Sequence, residues 1–311
     1  MIAVALLLFG FVFLIKGADY FVEGSSSVAK MLRVPSMIIG LTIVAMGTSL
    51  PECAVSVTAS LAGNNELAVS NVVGSNIFNL MVVAGSCSLF TPLAIQKNTL
   101  KREMPFSIIC AALLLVMGYL GMRMSHLDGG ILAVVFLIYL AMMVKSALNA
   151  RVASAEETEE YQILPIWKCI LFILGGAAAI KFGGDFVVNG ASSIAKMAGL
   201  SQNLIGLTIL AMGTSLPELV TSIVAAKKDE VDMARGNVIG SNIFNILLVL
   251  GVASAISPID FVMENVIDII LLILMSLLTC YFAGTRQKLE RKEGIVMLAV
   301  YAAYMIYICV R

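Results

Sequence analysis

The segment IGLTIVAMGTSLPE, Ile39 to Glu52, returns as IGLTILAMGTSLPE, Ile205 to Glu218, identical at 13 of 14 positions and displaced by 166 residues. At the same displacement NVVGSNIFN, Asn71 to Asn79, returns as NVIGSNIFN, Asn237 to Asn245, and Asp19 and Gly24 return as Asp185 and Gly190. A chain holding two such copies in one register is organised as two equivalent halves, and whatever the motif does it does twice.

The surroundings of the motifs decide the solvent. Hydrophobic residues make up 60% of the 311, charged residues 13%, and the mean hydropathy is +0.99, far from the roughly 25% charge of soluble domains. Apolar runs approach the roughly 20 residues needed to cross a bilayer as helix. They predict ten spans, near 2–30, 36–60, 67–90, 103–121, 130–147, 166–195, 203–226, 237–256, 264–283 and 294–310. The expected fold is an all-α integral membrane protein. The first run lacks a basic leader and continues past residue 20, so it reads as a retained span.

Five spans per half is an odd number, so the second half must enter the membrane from the opposite face. The expectation is therefore an inverted repeat, 1–150 and 165–311, joined by the acidic linker 151–164, a solvated cytoplasmic loop with no function assigned. With the N-terminus outside, fourteen Lys and Arg fall in inside loops, against Arg123, Lys196 and Arg311 outside. The excess of inside positive charge favours both termini outside and a location in the cell membrane. Lys16 and Lys181 lie deeper and read as snorkelling or paired, and Asp19 and Asp185 as capping or paired groups.

Several function classes drop out. Lys+Arg and Asp+Glu are both 20, so no basic surface marks a nucleic-acid binder. The six cysteines are scattered singly and read as small buried hydrophobes. The single histidine, His126, sits beside a predicted loop and not beside a serine of either motif, so zinc ligation and Ser-His catalysis lack their usual parts. No enzyme, cofactor or obligatory protein partner is expected; the partners are membrane lipid and transported ions.

Glu52 and Glu218 are carboxylates in the middle of apolar spans, a costly placement that marks function. Pro51 and Pro217 precede them and free carbonyls near Ala45 to Gly47 and Ala211 to Gly213. Helical spacing puts Thr48 and Ser49 on one face with Glu52, and Thr214 and Ser215 with Glu218. Ser75 and Asn79, like Ser241 and Asn245, are four residues apart on the third and eighth spans. Small polar residues also serve plain helix packing, but packing does not call for two buried carboxylates at equivalent positions. The set is all hard oxygen, suited to Ca2+ and Na+.

GTSLPE followed by GSNxxN in each of two inverted halves resembles the alpha-repeats of the sodium/calcium exchangers, and the resemblance covers essentially the whole chain. It implies an antiporter in which Na+ and Ca2+ compete for overlapping midplane sites. Glu52 and Glu218 would be the shared carboxylates. Thr48 and Thr214 would give backbone and hydroxyl oxygens, and the Ala45 and Ala211 carbonyls would face outer sodium positions. Ser49, Ser215, Ser75, Ser241, Asn79 and Asn245 would complete the cluster. The long first and sixth spans would slide over a rigid core. The potassium-dependent branch carries Asp where this chain has Asn245, so K+-independent exchange is expected. The rival is a cation/proton antiporter using the same glutamates, although the proton/calcium branch usually differs at TSLPE. A channel fits paired midplane carboxylates less well.

Overall fold

A computed structural model describes residues 2–63, 65–153, 164–199, 209 and 211–310. The elements are α1 (Ile2–Leu32), α2 (Ser36–Thr48), α3 (Leu50–Leu61), α4 (Leu67–Phe90), α5 (Met104–Tyr119), α6 (His126–Ala153), α7 (Ile166–Met197), α8 (Ala211–Gly213), α9 (Leu216–Lys227), α10 (Val231–Ile256), α11 (Met263–Arg286) and α12 (Arg291–Val310). Proline punctuates them. Pro35 and Pro165 cap α2 and α7, while Pro51, Pro105 and Pro217 occupy the first two positions of a helix. A missing N–H costs nothing at those places.

Among the described residues, seven helices are long and apolar enough to cross a membrane, and α2 with α3 forms an eighth span, bent by 48°. Two of the ten expected spans fall outside this count. α5 has only 16 helical residues after a π-helical turn at Thr99–Glu103, and residues 200–208 and 210, which begin the seventh expected span, lie outside the described residues. So does the acidic run 156–160 of the expected linker.

Centre and periphery follow from what each helix buries. In α4 and α10, 72% and 78% of the membrane-spanning window is buried, against 17% in α6 and 11% in α12. The outer helices present Leu137, Ile138, Ile306 and Val310 outward, as lipid-facing surfaces do. The same pattern corrects one expectation about the cysteines: Cys87, Cys110 and Cys169 are buried, but Cys53 and Cys280 are half-buried and Cys309 is exposed.

The helices equivalent under the 166-residue displacement, α1 and α7, pack along their lengths as an antiparallel pair. A Cβ added at Gly17 would lie 2.9 Å from the Ile180 nitrogen, and one at Gly183 only 2.6 Å from the Leu14 nitrogen. Glycines spaced by seven, at 10, 17 and 24 and at 176, 183 and 190, thus let the two backbones touch. Two short antiparallel ladders also cross between halves, Leu93–Ala94 with Lys288–Leu289 and Arg123–Met124 with Ile259–Asp260. Each half is therefore fastened to the other at both ends of the bundle.

Gly183→Val is expected to cost about 1–3 kcal/mol, the range for overpacking a closed contact, while Gly175→Ala, whose Cβ would meet nothing within 4 Å, is expected to be neutral. Thermal unfolding of the two purified variants in detergent checks the contrast.

Candidate functional site

Both repeated prolines interrupt a helix at equivalent places. Ser49 leaves the helical region with φ −84° and ψ 10°, and Ser215 with φ −95° and ψ 7°. A new helix starts immediately after each, with Glu52 and Glu218 in its first turn. There the unpaired N–H groups and the dipole of the new helix favour a carboxylate. Gly47 loses the amide that Pro51 cannot supply. The Ala45 carbonyl is not free, however: it accepts from the Ser49 N–H at 3.0 Å and the Thr48 hydroxyl at 3.4 Å. Ala211 opens the short α8, and Thr214 is half-buried.

Glu52 and Glu218 are fully buried. The expectation that each shares a helical face with the hydroxyls of its own motif is overturned, because the break at the serine redirects them. Ser49 donates to Glu218 Oε1 at 2.8 Å, and Ser215 donates to Glu52 Oε1 at 3.0 Å. Each glutamate is therefore held by the other half's serine. Ser75 adds a longer bond to Glu52 Oε1, at 3.4 Å.

The asparagines are exchanged in the same way. Asn76 and Asn242 donate to each other's main-chain carbonyls at 3.1 and 3.2 Å. Asn79 donates to Asn242 Oδ1 and Asn245 to Asn76 Oδ1, both at 3.2 Å. Asn79 and Asn245 also open six-residue π-helical turns, Asn79–Ala84 and Asn245–Leu250. Such wide turns inside α-helices occur frequently at functional sites.

Four acceptors remain without a donor in this buried centre: Glu52 Oε2, Glu218 Oε2, Asn79 Oδ1 and Asn245 Oδ1. A buried acceptor left unmade costs about 1–3 kcal/mol. Among the described residues no N–H or O–H meets this need. Ser241 turns its hydroxyl to Asn237 Oδ1 at 3.5 Å. Among the described residues no group of three or more His, Cys, Asp or Glu forms, so the donors are hydroxyl, amide and two carboxylates.

Sequence reasoning missed the second layer. Asn237 receives the Thr48 hydroxyl at 3.0 Å and donates to Ser222 Oγ at 2.9 Å and to the Glu218 carbonyl at 3.5 Å. Asn71 donates to Ser56 Oγ at 3.1 Å and to the Glu52 carbonyl at 3.4 Å. Both asparagines stand in the repeated segment, and that repetition was the signal that could have found them.

A cavity of about 570 Å³ leads from the surface to both breaks, touching Pro51, Gly213, Thr214 and Pro217 and passing the α7 residues Lys181 and Asp185. These two pair at 2.7 Å.

Residues 2–145 and 168–310 match the family model described as sodium/calcium exchanger protein. The inner membrane protein YrbG of Escherichia coli is 35% identical over 264 residues, covering 83% of this chain and 81% of that one. The sodium/calcium exchanger MaX1 of Methanosarcina acetivorans is 32% identical over 338 residues, with 97% of each chain covered. Among solved structures, the sodium-calcium exchanger NCX_Mj soaked with Na+ and Sr2+ superposes with a TM-score of 0.86 at 33% identity, covering 98% of each chain.

Asn237 is buried and Asn71 half-buried, so the two are not equivalent in cost. Asn237→Ala removes the donor to the Ser222 hydroxyl and the acceptor of the Thr48 and Ser241 hydroxyls and is expected to destabilise by about 2–3 kcal/mol, more than Asn71→Ala, as compared by thermal unfolding in detergent.

Proposed function

This chain belongs to the sodium/calcium exchanger family of membrane antiporters, and from that premise we propose that it exchanges Na+ for Ca2+ by alternating access to one central site. The observation that carries the proposal is the pair of fully buried carboxylates, each held by a serine of the opposite half. Two carboxylates balance one Ca2+, whose preferred shell of 6–8 oxygens draws on Glu52, Glu218, Asn79, Asn245 and the neighbouring hydroxyls. Thr48, Ser49, Thr214, Ser215, Ser75 and Ser241 belong to this cluster as direct or supporting oxygens. The carbonyls of Ala45 and Ala211 serve sodium in the same reading. Occupation by Na+ displaces Ca2+, because both ions need the same charges.

The proposed topology is ten spans in two inverted halves, 1–150 and 165–311, with both termini outside. Antiparallel packing of the equivalent helices α1 and α7 supports the inversion, and the excess of basic residues in the presumed inside loops supports the orientation. A doubly negative, ion-free site resists crossing a low-dielectric closure, which couples movement of one ion to return of the other. Sodium is preferred to H+ as the coupling ion on the TSLPE motif in both halves. Asn245, neutral where potassium-dependent relatives carry Asp, supports exchange without K+.

Proteoliposomes loaded with Na+ and diluted into Na+-free buffer are expected to take up radiolabelled Ca2+, equally with and without K+, and Glu52→Gln is expected to abolish uptake. Uptake driven by a pH gradient instead of the Na+ gradient would make the chain proton-coupled. Uptake is also expected to fall as the pH is lowered at a fixed Na+ gradient, because each proton on Glu52 or Glu218 removes a Ca2+ ligand; a flat profile down to about pH 5, near the ordinary glutamate range, would contradict it.

A further inference from the structure

The repeated halves agree in their ion-binding segments and disagree at one turn. After α3 the chain reads Ala62, Gly63, Asn64; at the equivalent place after α9 it reads Lys228, Asp229, Glu230. The backbone shape is kept, with φ +76° at Gly63 and φ +61° at Asp229. A left-handed conformation is free for glycine but unfavourable for most other residues, Asp being among the better tolerated. The second half thus carries three charged residues at the positions where the first has Ala62, Gly63 and Asn64.

Those charges grip α1. Lys228 pairs with Asp19 at 2.6 Å and with Glu23 at 3.4 Å. Glu230 accepts hydrogen bonds from Ser26 of α1 and, at 2.7 Å, from Ser36 at the start of α2. Lys30 stands 4.0 Å from Glu230. At the other end the equivalent of Asp19 is Asp185, which pairs within its own helix, with Lys181, and lines the open cavity.

The two ends differ in access in the same sense. The cavity beside Asp185 reaches both helix breaks. The cavity beside Lys228, about 640 Å³ and lined by Val22, Glu23, Ser26 and Glu230 among others, touches no residue of either repeated motif. At the gripped end, this cavity stops short of the repeated motifs.

We propose that the Lys228 to Glu230 turn is an ionic latch that holds the path closed at its own end, and that the uncharged sequence Ala62, Gly63, Asn64 at the equivalent positions makes the exchanger rest open at the opposite end. Lys228 and Glu230 act as positioning residues: they bind no transported ion and set how often α1 leaves the core. The inference rests on the alternating-access reading above, and with the orientation favoured there the latch lies on the cytoplasmic side. Asp19, Glu23 and Lys228 are each partly exposed, so any one pair is weak; the grip comes from the network and its half-buried Glu230 bonds.

The test transplants the uncharged turn, as Lys228→Ala, Asp229→Gly and Glu230→Asn together, a sequence the same fold accepts at residues 62 to 64. The reporter is Val22→Cys, a buried position beside the closed cavity, in the full chain with its six native cysteines replaced. Labelling by a membrane-impermeant thiol reagent applied from the latched side is expected to speed up about fivefold, equivalent to about 1 kcal/mol. The apparent Ca2+ affinity on that side should rise in parallel, since it scales with the fraction open there. Asp229→Gly alone should change neither, because Asp229 makes none of the latch bonds. Unchanged labelling in the transplanted turn overturns the latch, and so does an equal rise with Asp229→Gly. Absence of gradient-driven uptake by the unaltered chain overturns the exchange reading instead, leaving labelling to decide the latch.

Discussion

Everything central in this protein follows from burying two carboxylates at the centre of the helix bundle. Glu52 and Glu218 each keep one oxygen supplied by hydroxyls and one oxygen without a donor, and the amide oxygens of Asn79 and Asn245 are left in the same condition. An uncompensated charge in such surroundings is strongly destabilising, so the folded centre is incomplete as a set of protein groups alone. In the proposed exchange a cation completes it. The helix breaks serve this arrangement: they put the carboxylates at helix starts and turn the serines away from their own motif.

The crossing of hydrogen bonds between halves has a mechanical consequence. Because Ser49 serves Glu218 and Ser215 serves Glu52, neither half owns a site, and the ion position exists only while the two motifs face each other. The Asn76 and Asn242 exchange fastens α4 to α10 at the same level, making a rigid centre. Around it, α1 and α7 touch through glycine backbones, and Phe13 with Phe186 and Tyr20 with Phe172 pack across the same interface. Phe21 of α1 and Val188 of α7 rest against Gly47 and Gly213 beside the breaks, so that a Cβ at Gly47 would fall 2.6 Å from the Phe21 ring.

Most of this was legible in the chain before its fold was described, for a physical reason: a carboxylate in hydrocarbon is so costly that its neighbours must be chosen to match, and the match leaves a repeated string. Glu52, Glu218 and the flanking serines were found that way. What the string could not convey was which half each hydroxyl would serve. Helical spacing put Ser49 beside Glu52, and the break at Ser49 reversed that. Asn71 and Asn237 were overlooked for a different reason, since an amide that braces a ligand looks, in sequence, like any other packing residue. The π-helical turns at Asn79 and Asn245 left no sign beyond the glycine and asparagine already counted as packing and ligand.

The contrast between conserved and divergent repeat segments within this one chain has its own logic. In the proposed exchange the ion is met by the same oxygens whichever end is open, which fits the agreement of the two motifs at 13 of 14 positions. The ends are used one at a time. A turn that closes one end bears no relation to the chemistry at the other, and its charges are free to differ, as Lys228 to Glu230 differ from Ala62 to Asn64. In the proposed exchange, symmetry in the site serves both directions, and the proposed latch makes asymmetry at the ends set where the protein waits.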